Sequence, residues 1–314
     1  MTTPTTLTVV ILTYRRPQEL ARALPDILEQ VVRTNDSPDG PDCRVLVVDN
    51  DANGGARFVV DELGSELVDY VVEPEPGIAA ARNRGLDECH GRDLLVYIDD
   101  DESPRDAWLS SLIETWRAFP ATAVMGRVVS VFDEAPDPWV EAGQFFRRPN
   151  MPSGTEVEVA ATGNLLLDLN RLRVHRVRFD NRFGLTGGED TLFSRQLVEA
   201  GGRIVWCNES EATDFVPASR ASRSWVLRRA RRSSNTRTTI DLYVAKTGAE
   251  RLAVRARALV GGPVRIATGT LRFAAGLAIR SLHHQARGLR LANRGIGMIA
   301  AATGTVYEEY RRHD

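Results

Sequence analysis

Apolar and polar residues alternate in blocks along the first two hundred positions of the chain. Short apolar runs of the kind that form buried strands occupy Leu7–Leu12, Arg44–Val48, Tyr70–Glu73 and Leu94–Ile98. Longer stretches between them predict helices: Pro17 to about Leu28, with proline in the first turn, then Ala56–Leu63 and Gly77–Asp87. Strands alternating with helices imply a parallel sheet with right-handed crossovers. In such a sheet, ligands collect beyond the carboxyl ends of the strands. Farther along, the pattern predicts strands at Ala123–Phe132, Val157–Ala160, Asn164–Leu169 and Arg203–Cys207, and a helix from Glu189 to about Ala200. Residues 133–156, rich in Pro, Asp, Asn and Gly, read as a long loop, and from Ala218 onward the pattern is helical.

The strand ends carry the chemistry. They read Thr13-Tyr14-Arg15-Arg16, Asp49-Asn50-Asp51, Glu73 and Asp99-Asp100-Asp101. Three adjacent aspartates repel one another, which raises at least one pKa unless a cation answers the charge. Hard divalent ions are held by one or two carboxylates plus substrate phosphates. The competing reading is an acidic turn in which Asp101 caps a helix near Arg105.

Two further segments have the same double character. Gly187-Gly188-Glu189-Asp190 places two carboxylates at a helix start. A helix N-terminus favours the ionised form, so one of them suits a general base. Alternatively, Thr186 and Glu189 form a capping box. The small-residue start Gly77-Ile78-Ala79-Ala80-Ala81-Arg82 offers an open helix terminus for an anion, or is a plain alanine-rich helix with exposed arginines.

Charge is unevenly distributed. The net charge is only −2, yet residues 1–219 hold 21 arginines against 37 acids, and residues 220–314 hold 19 basic residues against 5 acids. The basic part therefore suits an anionic partner such as a membrane, nucleic acid or phosphates. Between Glu250 and Glu308 there is no acidic residue. If Pro263 opens a helix, Arg265, Arg272, Arg280, Arg287, Arg290 and Arg294 fall within one arc, which reads as a membrane-surface stripe or as a solvated face of a packing helix. Aromatic residues for base stacking are sparse there, which argues against nucleic acid. Three scattered cysteines give neither a metal spacing nor a disulfide framework and fit a reducing compartment. No signal peptide and no membrane-spanning stretch is expected. The lack of G-x-G-x-x-G argues against a dehydrogenase, and the lack of a glycine-rich phosphate loop argues against a nucleotidyltransferase.

Taken in order, Thr13-Tyr14-Arg15-Arg16, Val47-Val48-Asp49-Asn50, Gly77 with Ala81-Arg82-Asn83, Tyr97 to Asp101, and Gly187 to Asp190 resemble the family 2 glycosyltransferases. Gly163-Asn164, Arg182-Phe183-Gly184, Trp206 and the run Arg228–Thr238 look most like bacterial polysaccharide members of succinoglycan type. The resemblance implies a GT-A fold: a Rossmann-like mixed sheet with helices on both faces and a helical C-terminal extension. It implies a catalytic domain over 1–220, with a nucleotide-binding half 1–101 and an acceptor half 102–220, followed by a basic helical region over 221–314.

It also implies roles. Thr13, Tyr14 and Arg16 would line the base pocket, Asp49 would contact uracil or ribose, and Arg82 the base or diphosphate. Asp101 would hold manganese or magnesium, with Asp99 as a second metal ligand, and Asp99 or Asp100 would contact ribose or sugar. Asp190 would be the catalytic base, with Glu189 as the neighbouring candidate. Arg228 and Arg232 would close over the diphosphate. The expected activity is metal-dependent, inverting transfer from a nucleotide sugar, a UDP-sugar by preference, to a hydroxyl of a glycan, lipid-linked or small-molecule acceptor. The alternative is a catalytically silent nucleotide-sugar-binding protein at the membrane surface. A cytoplasmic location, peripheral attachment to the inner membrane face and a homodimer complete the expectations.

Overall fold

The computed structural model describes residues 5–307. Strands β1 (Thr6–Thr13), β2 (Asp42–Asp49), β3 (Val68–Val72) and β4 (Leu94–Asp99) form the parallel part of an eight-stranded sheet, in the order β3-β2-β1-β4. The sheet continues through β7 (Asn164–Asp168), β6 (Ala123–Phe132), β8 (Ile204–Val216) and β5 (Glu102–Pro104), with β7 antiparallel to β4 and to β6. Side chains alternate between its faces. Leu7, Val9 and Ile11 enter one buried core with Leu24 and Ile27 of helix α1 (Pro17–Asn35). Val10 and Leu12 enter another, with Ala79 and Ala81 of α3 (Ile78–Glu88) and Phe193 of α7 (Glu189–Glu199). Two buried faces explain why these strands read as unbroken apolar runs.

The sheet curls back on itself. β4 and β5 are four strands apart in the sheet order, a distance of about 19 Å at the usual spacing of neighbouring strands. Only Asp100 and Asp101 separate them in sequence, and three chain steps reach about 11 Å. The aspartate run therefore lies at the seam where the curled sheet approaches itself.

The elements depart from the sequence expectations in definite ways. The chain enters β5 directly after Asp101 and reaches α4 (Trp108–Ala118) only later, so Asp101 caps no helix. Helix α1 runs through Pro25 to Asn35, because its buried face continues through Val31 and Thr34. Residues 157–160 form no strand; Glu156 makes one isolated bridge to Val205. Within the expected loop, Asp137 caps the short helix α5 (Pro138–Gly143) by accepting from the Trp139 amide. Two other short helices, α2 (Arg57–Leu63) and α6 (Leu169–His175), follow β2 and β7.

The chain forms two compact units. Among the described residues, the first comprises 5–130, 148–184 and 189–214, and the second 131–147, 185–188 and 215–307. In the second unit, α8 (Arg223–Val244), α9 (Gly248–Ala278) and α10 (Leu282–Ala302) account for most of the chain. Helix α9 opens with a capping box between Thr247 and Glu250. Gly262, Gly269 and Gly276, seven residues apart, bring its backbone against α10. A Cβ on Gly269 would stand 2.6 Å from both the Gly288 carbonyl oxygen and the Ala292 amide nitrogen. Pro263 thus lies inside a helix, and the arginine stripe expected on one helix is divided: Arg265 and Arg272 belong to α9, Arg280 to the turn, and Arg287, Arg290 and Arg294 to α10.

Candidate active site

The parallel register sets the carboxyl ends of three strands level. Thr13 pairs with Asp49, and Leu12 pairs with both Val48 and Asp99. Around this edge, Thr13 Oγ1 donates to Asp100 Oδ2 at 2.9 Å. Arg16 Nη1 bridges Asp100 Oδ1 and Asp101 Oδ2, each at 3.2 Å. Thr13 and Asp100 are buried, while Asp99, Asp101 and Arg16 are partly exposed. Thr13 and Arg16 are therefore engaged in organising the carboxylates.

The acidic cluster is larger than the triplet. Glu102 is buried, and its Oε2 has no hydrogen-bond partner among the described residues. Gly163 leaves the space in which Asp99 and Glu102 meet: a Cβ there would lie 2.9 Å from Asp99 Oδ2 and 2.8 Å from Glu102 Oε1. Burial pushes the Asp99 carboxyl up to about 6, with Asp101 and Asp190 adding repulsion and Arg82 and Arg16 opposing it. Burial pushes Asp100 up to about 7 against the pull of Arg16. Glu102 is pushed well above the carboxylate range by burial and by the nearby charges of Asp99, Asp101 and Asp214.

Among the described residues, no three acidic, histidine or cysteine side chains form an all-protein metal cage. A magnesium-type ion held by one or two carboxylates plus phosphates does not require one. The donor set fits such an ion: hard oxygens at one strand end, whose mutual repulsion a dication would relieve.

Asp49, the residue for which the resemblance implies a uracil or ribose contact, organises the loop that follows β2. It is completely buried and accepts hydrogen bonds from the Asp51 amide at 2.9 Å, the Ala56 amide at 3.0 Å and the Tyr70 hydroxyl at 2.6 Å. The partly exposed carboxylate of this loop is Asp51, whose Oδ2 lies 3.5 Å from Arg15 Nε. Asn50 ties the loop to the next one, donating to the Glu73 and Glu75 carbonyls and accepting from the Gly77 amide. The start of α3 is closed by backbone: the Ile78 amide donates to the Gly184 carbonyl at 3.1 Å. Its first donor is thus not open to an anion. Tyr14 is partly exposed, with the Arg15 guanidinium 5.3 Å from its ring centre.

Glu189 and Asp190 separate cleanly. Glu189 is buried, and its Oε1 pairs with Arg82 Nη1 instead of completing a capping box. Arg82 is buried as well, 5.5 Å above the Phe179 ring. Burial pushes the Glu189 carboxyl up even beside this arginine. Asp190 is partly exposed and accepts from the Thr191 amide and hydroxyl. Its charge is felt at Asp99, so α7 and β4 bring two acids of the sequence reading together. Arg228 and Arg232 lie on α8, the former exposed and the latter partly buried. Sequence reasoning missed Glu102, whose only signal is a fourth acid after the triplet, and Tyr70, which has no local signal.

The sequence matches Glycosyl transferase family 2 over residues 8–187. The chain belongs to this family. It is 36% identical over 229 residues to the succinoglycan biosynthesis protein ExoM of Rhizobium meliloti (strain 1021), covering 72% of each chain. It is 30% identical over 220 residues to the pre-mycofactocin glycosyltransferase of Mycobacterium tuberculosis, covering 59% of this chain and 45% of that one. Among solved structures, it resembles a mannosyltransferase, PcManGT from Pyrobaculum calidifontis in complex with GDP-Man and Mn2+. The TM-score is 0.59 at 19% identity, over 96% of this chain and 87% of that one. S. aureus TarS in complex with UDP gives 0.50 at 14% identity, over 96% and 93%. The protein is thus a family 2 glycosyltransferase with a mixed α/β sheet of GT-A type and a helical C-terminal region.

Proposed function

We propose that the protein transfers a sugar from a nucleotide sugar, a UDP-sugar by preference, to an acceptor hydroxyl with inversion at the anomeric carbon. The observation that carries this reading is the clustering of Asp99, Asp100 and Asp101 at the carboxyl edge of the parallel strands, with Arg16 bridging Asp100 and Asp101. Support comes from relatives of this fold whose structures contain UDP, or GDP-Man with Mn2+. Residues 1–220 would form the catalytic domain and 221–314 the basic helical region.

In this reading, Asp101 and Asp99 hold manganese or magnesium, which when bound neutralises charge on the departing diphosphate. Thr13 and Arg16 fix the rotamers of Asp100 and Asp101, so the cluster is arranged before donor arrives. Asp49 shapes the loop that follows β2 and would contact uracil or ribose. Asp190, at the start of α7, accepts the proton of the acceptor hydroxyl as that oxygen attacks the anomeric carbon and the bond to diphosphate breaks. Glu189 holds Arg82, and through it the seat of α7.

A panel of nucleotide sugars, incubated with the protein and manganese, tests the reading through release of nucleoside diphosphate. Slow release from one member is expected, because water substitutes for the acceptor. If no member is bound or cleaved, the reading fails, and a nucleotide-independent activity has to be sought.

A further inference from the structure

Helix α9 turns an apolar face outward. Its glycine side, Gly262, Gly269 and Gly276, is buried against α10. On the opposite side, Val260 is 67% exposed, Val264 55% and Leu271 69%. Their spacing of four and seven residues keeps them on one face, which Ala267 and Ala278 extend. From Leu259 to Ile279, every exposed residue is apolar or a threonine. That stretch is about 30 Å long at 1.5 Å per residue. Soluble proteins seldom leave so long an apolar stripe open to water.

The charged residues frame the stripe. Arg251, Arg255 and Arg257 are exposed at its amino end, and Arg280 is exposed in the turn at its carboxyl end. Arg265 and Arg272, which the sequence placed on the outer surface, are partly buried. Arg265 donates to the Gly261 carbonyl, and Arg272 Nε lies 3.4 Å from His284 Nδ1. The helix is thus amphipathic with its apolar side free.

We propose that this face of α9 docks into the interfacial region of an anionic membrane, with the helix axis in the membrane plane. Apolar side chains enter the acyl boundary while the flanking arginines meet acidic headgroups. Charge selects this occupant over a second copy of the chain. A two-fold pairing of α9 with itself would set arginine against arginine in either direction: antiparallel, Arg280 of one copy lies among Arg251, Arg255 and Arg257 of the other, and parallel, each arginine lies beside its own counterpart. No acidic residue between Glu250 and Glu308 offsets that repulsion. No helix among the described residues is long and apolar enough to cross a membrane, which agrees with a helix lying on the surface. The inference is independent of the proposed sugar chemistry.

The test is flotation of the full chain with vesicles of phosphatidylcholine, with and without one quarter phosphatidylglycerol. At low salt, the protein is expected to float with the anionic vesicles at least tenfold more strongly than with the neutral ones, and less so as salt rises. Val260→Glu, Val264→Glu and Leu271→Glu combined should abolish flotation without altering the circular dichroism, since all three side chains already face solvent. A Leu271→Trp chain should show a blue-shifted emission only with anionic vesicles. Absence of flotation at low salt would overturn the proposal, as would equal flotation of the triple variant. If the wild type is instead a dimer that the triple variant converts to a monomer, the face is a homodimer interface and the proposal is wrong.

Discussion

Arg82 on α3 and Glu189 at the head of α7 form a buried ion pair across 107 residues of sequence. It joins the third crossover helix to the segment that carries Asp190. Removing one member leaves an uncompensated charge in the core, which costs about 3–5 kcal/mol. Arg82→Ala and Glu189→Ala are each expected to lose about that much stability in denaturant titrations. The double variant should lose less than the sum, because neither charge is then left alone. Additive losses would show that the two side chains do not act on each other.

Asp190, one residue on, predicts a different phenotype. Asp190→Asn keeps the size of the side chain and should fold normally. Donor binding should be unchanged, because a general base acts on the acceptor in the transition state. Turnover should fall about a hundredfold or more. Normal turnover in Asp190→Asn would remove it from the reaction.

The strand-end acids make stability depend on pH with a definite sign. Asp99 and Asp100 titrate near 6 and 7 in the fold, above the ordinary carboxylate value. Between about pH 4 and 7, the folded protein therefore holds protons that the unfolded chain has released. Their stabilising contribution is fully present below about pH 4 and is lost as pH rises through 6 and 7. Each group can change stability by up to about 1.4 kcal/mol per pH unit in that window. Melting curves without divalent ions should show this fall between about pH 4 and 7, and Asp100→Asn should reduce it. Manganese at pH 8 should restore stability.

Much of the fold is legible in the sequence, for physical reasons. The strands β1, β2 and β4 are buried on both faces and so stand out as apolar runs, and the acidic ends of β2 and β4 mark the edge at which the candidate site lies. What escaped depends on contacts between distant residues. Nothing local distinguishes Glu189, locked to Arg82, from Asp190, left partly exposed. Nothing local shows that Asp49 Oδ2 accepts from both the Ala56 amide and the Tyr70 hydroxyl, 21 residues away. The basic region misleads by its periodicity: a helix carried past Arg280 gives one arginine stripe, whereas the turn at Ile279–Ser281 folds it into a hairpin. The glycines at seven-residue spacing were the overlooked signal, since only they permit so close an approach of two backbones.

That approach predicts a sharp response to bulk. Gly269→Val would place side-chain carbon within 2.6 Å of the Gly288 oxygen and the Ala292 nitrogen, backbone atoms that cannot swing aside. A loss of about 1–3 kcal/mol or more is expected from the forced separation of α9 and α10. Limited proteolysis should then cut within 248–302 at concentrations that leave the wild type intact. Unchanged resistance would mean that the two helices do not need contact at this point.

The central claim is that the aspartate edge binds a nucleotide sugar through a divalent ion. Calorimetric titration of UDP into the protein, with manganese and then with EDTA, tests it most directly, with Asp101→Asn run alongside. Affinity at least tenfold higher with manganese, and lost in Asp101→Asn, is the predicted result. Equal affinity with EDTA, or undiminished binding by Asp101→Asn in manganese, would contradict the account.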